Sequence, residues 1–402
     1  WRCKTELVWK VADEWYIAMD KVDPDDKNGR TLRQKMIDVA KKITWKPEFG
    51  LDRELDWLNN MHDWLISKKN RYWGLALPIW VCEDCGEFSV IGGYDELKDK
   101  AVSGWDKFEG HTPRKPFIDE IKIKCDHCGG TMTRTPDVGN PWLDAGIVSF
   151  STLVDPETKK VSYTTDKKYW HKWFPADFIT ESFPGQFKNW FYVMIAMSTV
   201  LEDTNPFETV LGFASMLGED GRPMHKSWGN AIEFNEGADK IGVDVMRWVF
   251  VRHNPERNLL FGYKMTTETK RLFHMLLWNS YRFFANYAAL EKWQPEIEIE
   301  HVPKKLDLWI LNHLDQTIID VTKSLDEYDA FTASASIDTF VSDLSTWYIR
   351  RSRRRFQRPE KGDFEAASAT LREVLLTLSK LIAPFTPFFA EALYRSLYGE
   401  PR

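Results

Sequence analysis

A run of roughly eighteen or more apolar residues occurs nowhere in this chain, so no segment is built to cross a bilayer as a helix. The richest stretch, Trp190 to Leu201, is too short to span one and carries Ser198 and Thr199. A secretory signal is also lacking. The chain opens Trp1-Arg2-Cys3, with neither a basic start nor an apolar core ahead of a cleavage site. These absences point to a cytoplasmic protein with no membrane partner. No period of repeat-protein type runs through the chain, which excludes a solenoid or propeller. A basic excess is missing too. Lys+Arg 54 against Asp+Glu 60 gives −6, so any nucleic-acid contact must come from a local patch. Cysteine is scarce, with five residues, which excludes a disulfide-dense scaffold.

What is present describes a globular protein. At 402 residues, with 43% apolar and 28% charged residues, the chain is long enough for two to four domains with substantial cores. The opening residues read as the middle of a longer polypeptide.

Four of the five cysteines form two knuckles, Cys82-Glu-Asp-Cys85-Gly86 and Cys125-Asp-His-Cys128-Gly129. In each, a tight turn lets two thiolates face one ion, and the following glycine permits positive φ. Four thiolates make a closed tetrahedral site, which suits structural Zn²⁺ and leaves no open position for catalysis. His111 and His127 are not needed as ligands, and Cys3 is left over.

Along the chain, Leu32, Met36, Ile37, Ala40 and Ile43 fall at helical spacing, so Arg30 to Ile43 reads as an amphipathic helix in a connecting section. Arg71-Tyr72-Trp73-Gly74 follows, and a bulky aromatic beside glycine reads as core packing. Asp177 to Thr180 reads as a short buried strand, Asn189 to Leu201 as a helix apolar on every side, and Thr209 to Leu217 as the next strand. Between that first strand and the helix lies Glu181-Ser-Phe-Pro-Gly-Gln186, where an α/β protein grips a ligand; Glu181 could equally cap a helix. From about Thr266 strand patterns vanish. Stripes through Ile310–Leu325, Ile337–Tyr348 and Leu371–Ile382 predict a helical bundle, broken near its end by Pro384 and Pro387.

Two stretches carry positive charge in telling places. Gly221-Arg-Pro-Met-His-Lys226-Ser227-Trp-Gly-Asn230 is a glycine-bounded loop presenting one lysine beside a hydroxyl, which reads either as a cationic arm for charge developing on a leaving pyrophosphate or as an ordinary surface loop with a solvated lysine. Arg350-Arg351-Ser-Arg353-Arg354-Arg355-Phe-Gln-Arg358 puts six arginines in nine residues, next to Tyr348 and Phe356. That density favours phosphate contact, although arginines also complement a helix C-terminus.

Taken together, these segments resemble the class I aminoacyl-tRNA synthetases, and within them the isoleucyl group. Met224-His-Lys-Ser-Trp-Gly-Asn230 resembles the KMSKS-x-G-N loop. Asp63-Trp-Leu-Ile-Ser67, Arg71-Tyr-Trp-Gly74 with Pro78-Ile-Trp80, Trp142-Leu-Asp-Ala-Gly146 and Glu181 through Phe191 are similar to four further signatures. Leu306 to Leu311 and Trp347 to Phe356 resemble the anticodon-binding bundle. The resemblance implies an α/β plus all-α fold: the second half of a Rossmann-type catalytic domain with a zinc-ribbon insertion, then a helical anticodon-binding domain. Residues 1–70 are then a connector returning from an editing insertion, 71–265 the half catalytic domain with the ribbon at 81–135 and the loop at 221–230, and 266–402 the bundle.

The resemblance further implies ATP-dependent activation of isoleucine, with Mg²⁺, and esterification of tRNA(Ile). Lys226 would bind ATP phosphates and, with Ser227, serve catalysis. Glu181, Gln186 and Trp190 would hold the adenylate, Cys82, Cys85, Cys125 and Cys128 the zinc, and Arg350, Arg351, Arg353, Arg354 and Arg355 the tRNA. The family's HIGH motif and editing domain are not found in these residues, which implies a missing N-terminal half as partner, with Cys3 the remnant of a knuckle. The first lysine and first serine of the loop motif are replaced by Pro223 and His225, the aspartate of the adenylate segment by Gly185, and the usual His-Gly by Phe213-Ala214. A valyl-type synthetase and a non-catalytic tRNA-binding module are the alternative readings.

Overall fold

The structure, a computed structural model, describes residues 5–398 apart from 7, 9, 10, 23, 25, 70, 295–302 and 361. Cys3 lies outside the described residues. The chain divides into two compact units, Trp1–Gly212 and Phe213–Arg402. No described helix is long and apolar enough to cross a membrane.

The first unit is built on a three-stranded sheet, with Phe207–Phe213 between Ala176–Ser182 and Thr44–Lys46. The central strand runs parallel to Thr44–Lys46, pairing Val210 with Trp45. Residues 1–70, expected to form a connector, supply a strand of this sheet and two helices, Leu32–Ala40 and Phe49–Asn60. The first helix begins at a capping box, with the Gln34 N–H donating to Thr31 Oγ1 and the Thr31 N–H to Gln34 Oε1. Its buried face, Met36, Val39 and Ala40, shares a core with Trp45, Leu58, Trp64 and the helix Trp190–Glu202. That last helix buries Phe191 through Ala196 without a break, as its all-round apolarity requires. Phe191, Val193, Met194 and Ile195 each contribute about 1.5–3 kcal/mol of hydrophobic stabilisation.

The strand Ala176–Ser182 is not buried as its sequence suggests; its residues are half-buried or exposed. Among the described residues it has a neighbour on one side only, and an edge strand leaves part of its surface to solvent.

Within the same unit, a five-stranded antiparallel sheet carries the cysteine pairs, in the order Phe88–Val90, Ile79–Cys82, Thr131–Arg134, Lys122–Lys124, Ala101–Ser103. Its small core centres on Trp80, whose indole N–H donates to the Ile121 carbonyl at 2.9 Å. Gly104 is required there. Its φ is +82°, and a Cβ would lie 1.9 Å from the Glu120 carbonyl oxygen.

The second unit opens with a break in what reads as one strand from Thr209 to Leu217. The chain ends one strand at Phe213 and begins another at Met216–Gly218, which pairs in parallel with Leu259–Phe261. The junction is held by the Ala214 N–H on the Pro255 carbonyl and the Ser215 N–H on Asn258 Oδ1. Helices Phe234–Lys240 and Val243–Val251 follow, separated at Gly242, whose φ is +98°.

The expected division between 265 and 266 falls within a continuous helical run. Tyr263–Thr269, a π-helical segment Lys270–His274 and Met275–Leu290 run on from one another. Trp248 stacks on Phe273 at 3.7 Å, which places the preceding helix in the bundle core. The remaining helices, Lys305–Asp326, Ala330–Asp343, Arg350–Gln357, Asp363–Leu381 and Pro387–Tyr398, bury Ile310, Leu314, Ile337, Phe340, Leu371 and Leu378 in one core. Pro387 starts the last helix rather than breaking one, since its fixed φ suits a first turn.

Candidate functional site

The four cysteines converge. Their sulfurs all lie within 4.8 Å of one another, with Cys82 to Cys128 at 3.5 Å and Cys85 to Cys125 at 3.7 Å. Four sulfurs about 2.3 Å from a central Zn²⁺ would stand about 3.8 Å apart, so the donor set fits that ion. The two knuckles are built alike: Gly86 and Gly129 have φ of +77° and +78°, and their N–H groups return to the carbonyls of Cys82 and Cys125. Backbone N–H groups of Cys85 and Asp84 hold the Cys82 thiol down to about 7. The Glu87 N–H favours the Cys85 thiolate, yet desolvation and the thiols of Cys128, Cys82 and Cys125 push it up to about 12. Four sulfurs this close cannot all ionise without a cation among them.

Also in the first unit are the three residues expected to hold an adenylate. Glu181 is half-buried, and its Oε1 accepts the Ser182 N–H at 2.7 Å, at the entry to the short helix Phe183–Gln186. Gln186 Oε1 accepts the Trp190 N–H at 3.1 Å, serving the first turn of the buried helix. Trp190 in turn donates its indole N–H to the Ala145 carbonyl at 3.2 Å. That bond joins two signature segments far apart in sequence. The contact is close because Gly146 lacks a side chain; a Cβ there would lie 2.7 Å from Met197 Cγ and 2.8 Å from the Val193 carbonyl oxygen.

Trp73, read as core, is instead 78% exposed, while Trp80 takes the buried place. Tyr72, Trp73 and Leu75, with Arg114, Phe117 and Asp144, line an open cleft of about 750 Å³. Next to Trp73, Gly74 has φ +147°, and a Cβ on it would lie 3.3 Å from Val138.

In the second unit, Lys226 sits on a single 3-10 turn, Lys226–Trp228, closed by Gly229 at φ +71°. Its side chain is exposed and pairs with no carboxylate among the described residues. The turn itself is clamped. The His225 N–H donates to Asn230 Oδ1 at 2.9 Å, and Asn230 Nδ2 donates to the Pro223 carbonyl at 3.1 Å. Ser227 Oγ lies 2.7 Å from His225 Nδ1, so the substituted histidine engages the hydroxyl beside the lysine. Met224 anchors the loop by packing with Ile241, Val245 and Phe261.

The arginine segment is the helix Arg350–Gln357, preceded by the π-helical Leu344–Ile349. Arg350, Arg351, Arg353 and Arg354 are exposed, and the Arg351 guanidinium lies 3.7 Å from the centre of the Trp347 ring. Arg355 does not join them. It turns inward, donating to Asp307 at 2.6 and 2.8 Å and to Asp363 at 2.6 Å, and its side chain is only 11% exposed. Tyr348 Oη donates to the same Asp307, and Lys304 Nζ lies 2.9 Å from Asp363. Two carboxylates and two cations thus balance. The one signal for Asp307 is its place in the Leu306–Leu311 segment; its partner is 48 residues away, beyond any local pattern.

Comparison with known proteins agrees with this geometry. Residues 4–261 match the family described as tRNA synthetases class I (I, L, M and V), and residues 307–402 the anticodon-binding domain of tRNA ligase. An isoleucine–tRNA ligase of Dehalococcoides mccartyi is 38% identical over 408 residues, covering 99% of this chain and 38% of the relative. The Thermus thermophilus isoleucine–tRNA ligase is 36% identical, covering all of this chain and 37% of the relative. The chain therefore spans well under half the length of the curated relatives it matches. Among solved structures, the Mycobacterium tuberculosis methionyl-tRNA synthetase with methionyl-adenylate superposes with a TM-score of 0.63 at 15% identity, covering 90% of this chain and 60% of that one. An Agrobacterium radiobacter LeuRS–tRNA–LeuAMS complex gives 0.59 at 21%, covering 85% and 41%; both likenesses concern the fold. With the synthetase match alone extending over more than half its residues, the chain belongs to the class I tRNA synthetases of the isoleucine, leucine, methionine and valine group.

Proposed function

We propose that this chain is part of an isoleucine–tRNA ligase, which activates isoleucine with ATP to isoleucyl-adenylate and transfers it to tRNA(Ile). The observation that carries the reading is Lys226: an exposed lysine without an ion-pair partner among the described residues, on a turn clamped by Asn230. In adenylate formation the isoleucine carboxylate attacks the α-phosphorus and pyrophosphate leaves. A fixed ammonium meeting the charge that grows on the pyrophosphate lowers the barrier without reorganising at the moment of reaction. Ser227 is a weaker partner to the phosphates, since His225 engages its hydroxyl. Glu181, Gln186 and Trp190 border the adenylate, with Gln186 and Trp190 also fixing the helix behind it.

Cys82, Cys85, Cys125 and Cys128 would hold a structural Zn²⁺, which supplies charge to hold four thiolates together and takes no part in the chemistry. Mg²⁺ accompanies ATP as substrate. Arg350, Arg351, Arg353 and Arg354 contact tRNA phosphates, and Arg355 holds their helix in place.

The test is isoleucine-dependent exchange of pyrophosphate into ATP by the full-length ligase carrying this chain. Lys226→Ala is expected to lower the exchange rate on the order of a hundredfold. Exchange driven by valine in preference to isoleucine would reassign the substrate. Unchanged exchange in the variant would remove the loop from catalysis.

A further inference from the structure

The Lys226 turn lies between two acidic residues that both reach one helix start. Upstream, Glu219 follows the strand Met216–Gly218, and its Oε1 accepts the N–H groups of Lys264 at 2.8 Å and Met265 at 3.1 Å. Downstream, Glu236 lies in the helix Phe234–Lys240, and its Oε1 accepts the Tyr263 hydroxyl at 2.9 Å. Tyr263, Lys264 and Met265 are the first three residues of the helical run that continues to Leu290.

The upstream contact has no slack. Gly262 precedes that helix, and a Cβ on it would lie 2.1 Å from Glu219 Cγ and 2.2 Å from its Cδ. The glutamate stem therefore fills the space a side chain would take, and two N–H groups converge on one carboxylate oxygen. A carboxylate among the free N–H groups of a helix start is held by both hydrogen bonds and the helix dipole. From Glu219 onward the backbone is braced by local hydrogen bonds. The Gly218 N–H donates to the Arg222 carbonyl at 2.9 Å, and Asp220 Oδ1 accepts the Arg222 N–H at 3.0 Å. On the other side Lys240 Nζ, 2.7 Å from Glu236, backs the tyrosine contact. The anchor is itself fixed, since Phe273, farther along the run, stacks on Trp248, and Phe283 lies 4.9 Å from Phe356.

We propose that Glu219 and the Glu236–Tyr263 pair are positioning residues that hang both ends of the Lys226 loop on the first turn of the helix beginning at Tyr263. None of the three touches the reacting atoms; they decide where the lysine stands. The catalytic consequence rests on the proposed ATP-facing role of Lys226, whereas the tether itself does not.

The experiment compares Glu219→Ala, Glu219→Gln, Tyr263→Phe and Lys226→Ala in the full-length ligase, by amide hydrogen exchange and by pyrophosphate exchange. Losing a helix-start acceptor shifts a local equilibrium roughly tenfold, so Glu219→Ala should speed amide exchange across 221–230 and 264–265 by about that factor. It should raise the KM for ATP, or lower kcat, with the KM for isoleucine unchanged. Glu219→Gln keeps an oxygen acceptor and should recover most of both, and Tyr263→Phe should show a smaller effect of the same kind. Unchanged amide exchange in Glu219→Ala overturns the tether. Faster amide exchange with unaltered ATP kinetics, while Lys226→Ala is impaired, overturns its positioning role. If Lys226→Ala is silent yet Glu219→Ala loosens the loop, the tether stands and the ATP reading of the loop falls.

Discussion

Arg355 and Asp307 form a two-pronged ion pair in which both oxygens of a fully buried carboxylate accept from one guanidinium, at 2.6 and 2.8 Å. The pair sets one arginine of the basic helix apart from its neighbours and ties that helix to the start of Lys305–Asp326. Removing the aspartate strips the guanidinium of its two-pronged partner, leaving it the Asp363 contact only, and leaves the buried Tyr348 hydroxyl without its acceptor. Asp307→Ala is therefore expected to destabilise the second unit by about 3–5 kcal/mol, read by denaturant unfolding. An unfolding midpoint within error of the parent would show that the pair carries no such weight.

The exposed arginines should behave in the opposite way. Arg350→Gln, Arg351→Gln or Arg354→Gln should leave unfolding unchanged and weaken tRNA binding. Each lost phosphate contact should reduce the slope of log K against log salt by about 1. A substitution that moves stability but not the salt slope would assign that arginine a structural role instead.

Asp363 adds a pH dependence to the same network. Although burial acts against its charged form, Lys304 and Arg355 hold its carboxyl below the usual carboxylate range. A group whose folded pKa is depressed contributes stability that is present above its unfolded pKa and lost as pH falls through the folded one. Unfolding measured from pH 6 down to pH 3 should show the second unit weakening below about pH 4. Asp363→Asn should flatten that decline.

His274 works in a higher window. It is buried in the π-helical segment, neither ring nitrogen has a hydrogen-bond partner among the described residues, and burial, then Lys270, push its pKa down to about 4. Between there and its ordinary value of about 6.5 the unfolded chain binds the extra proton, so stability rises with pH across that range. The whole effect amounts to at most about 3–4 kcal/mol. The stability difference between His274→Phe and the parent should therefore shift in favour of the variant as pH drops from 7 to 4. A constant difference would refute the assignment.

Zinc removal should act locally. Chelation, or Cys125→Ser, is expected to release about one Zn²⁺ per chain and to expose Trp80 in the ribbon, seen as a red-shifted fluorescence component. The helical signal of the second unit should persist. Absence of bound zinc in protein purified without chelator would assign the thiols another role.

Much of this protein is local information, and local information is readable. Two thiolates three residues apart on a turn, a lysine on a glycine-bounded loop, and apolar stripes at helical spacing each have a meaning that needs no distant partner, and they outline the cysteine cluster, the exposed lysine loop and the bundle. What only the tertiary structure decided are the places where two remote residues compete for one environment. Thr44–Lys46 is short and unremarkable until Val210 and its neighbours pair with it. Trp73 reads as core, yet Trp80 occupies the interior and Trp73 stands exposed. Arg355 is one arginine among six until a carboxylate from another helix draws it inside, because a charge is buried only where the fold brings its counter-charge.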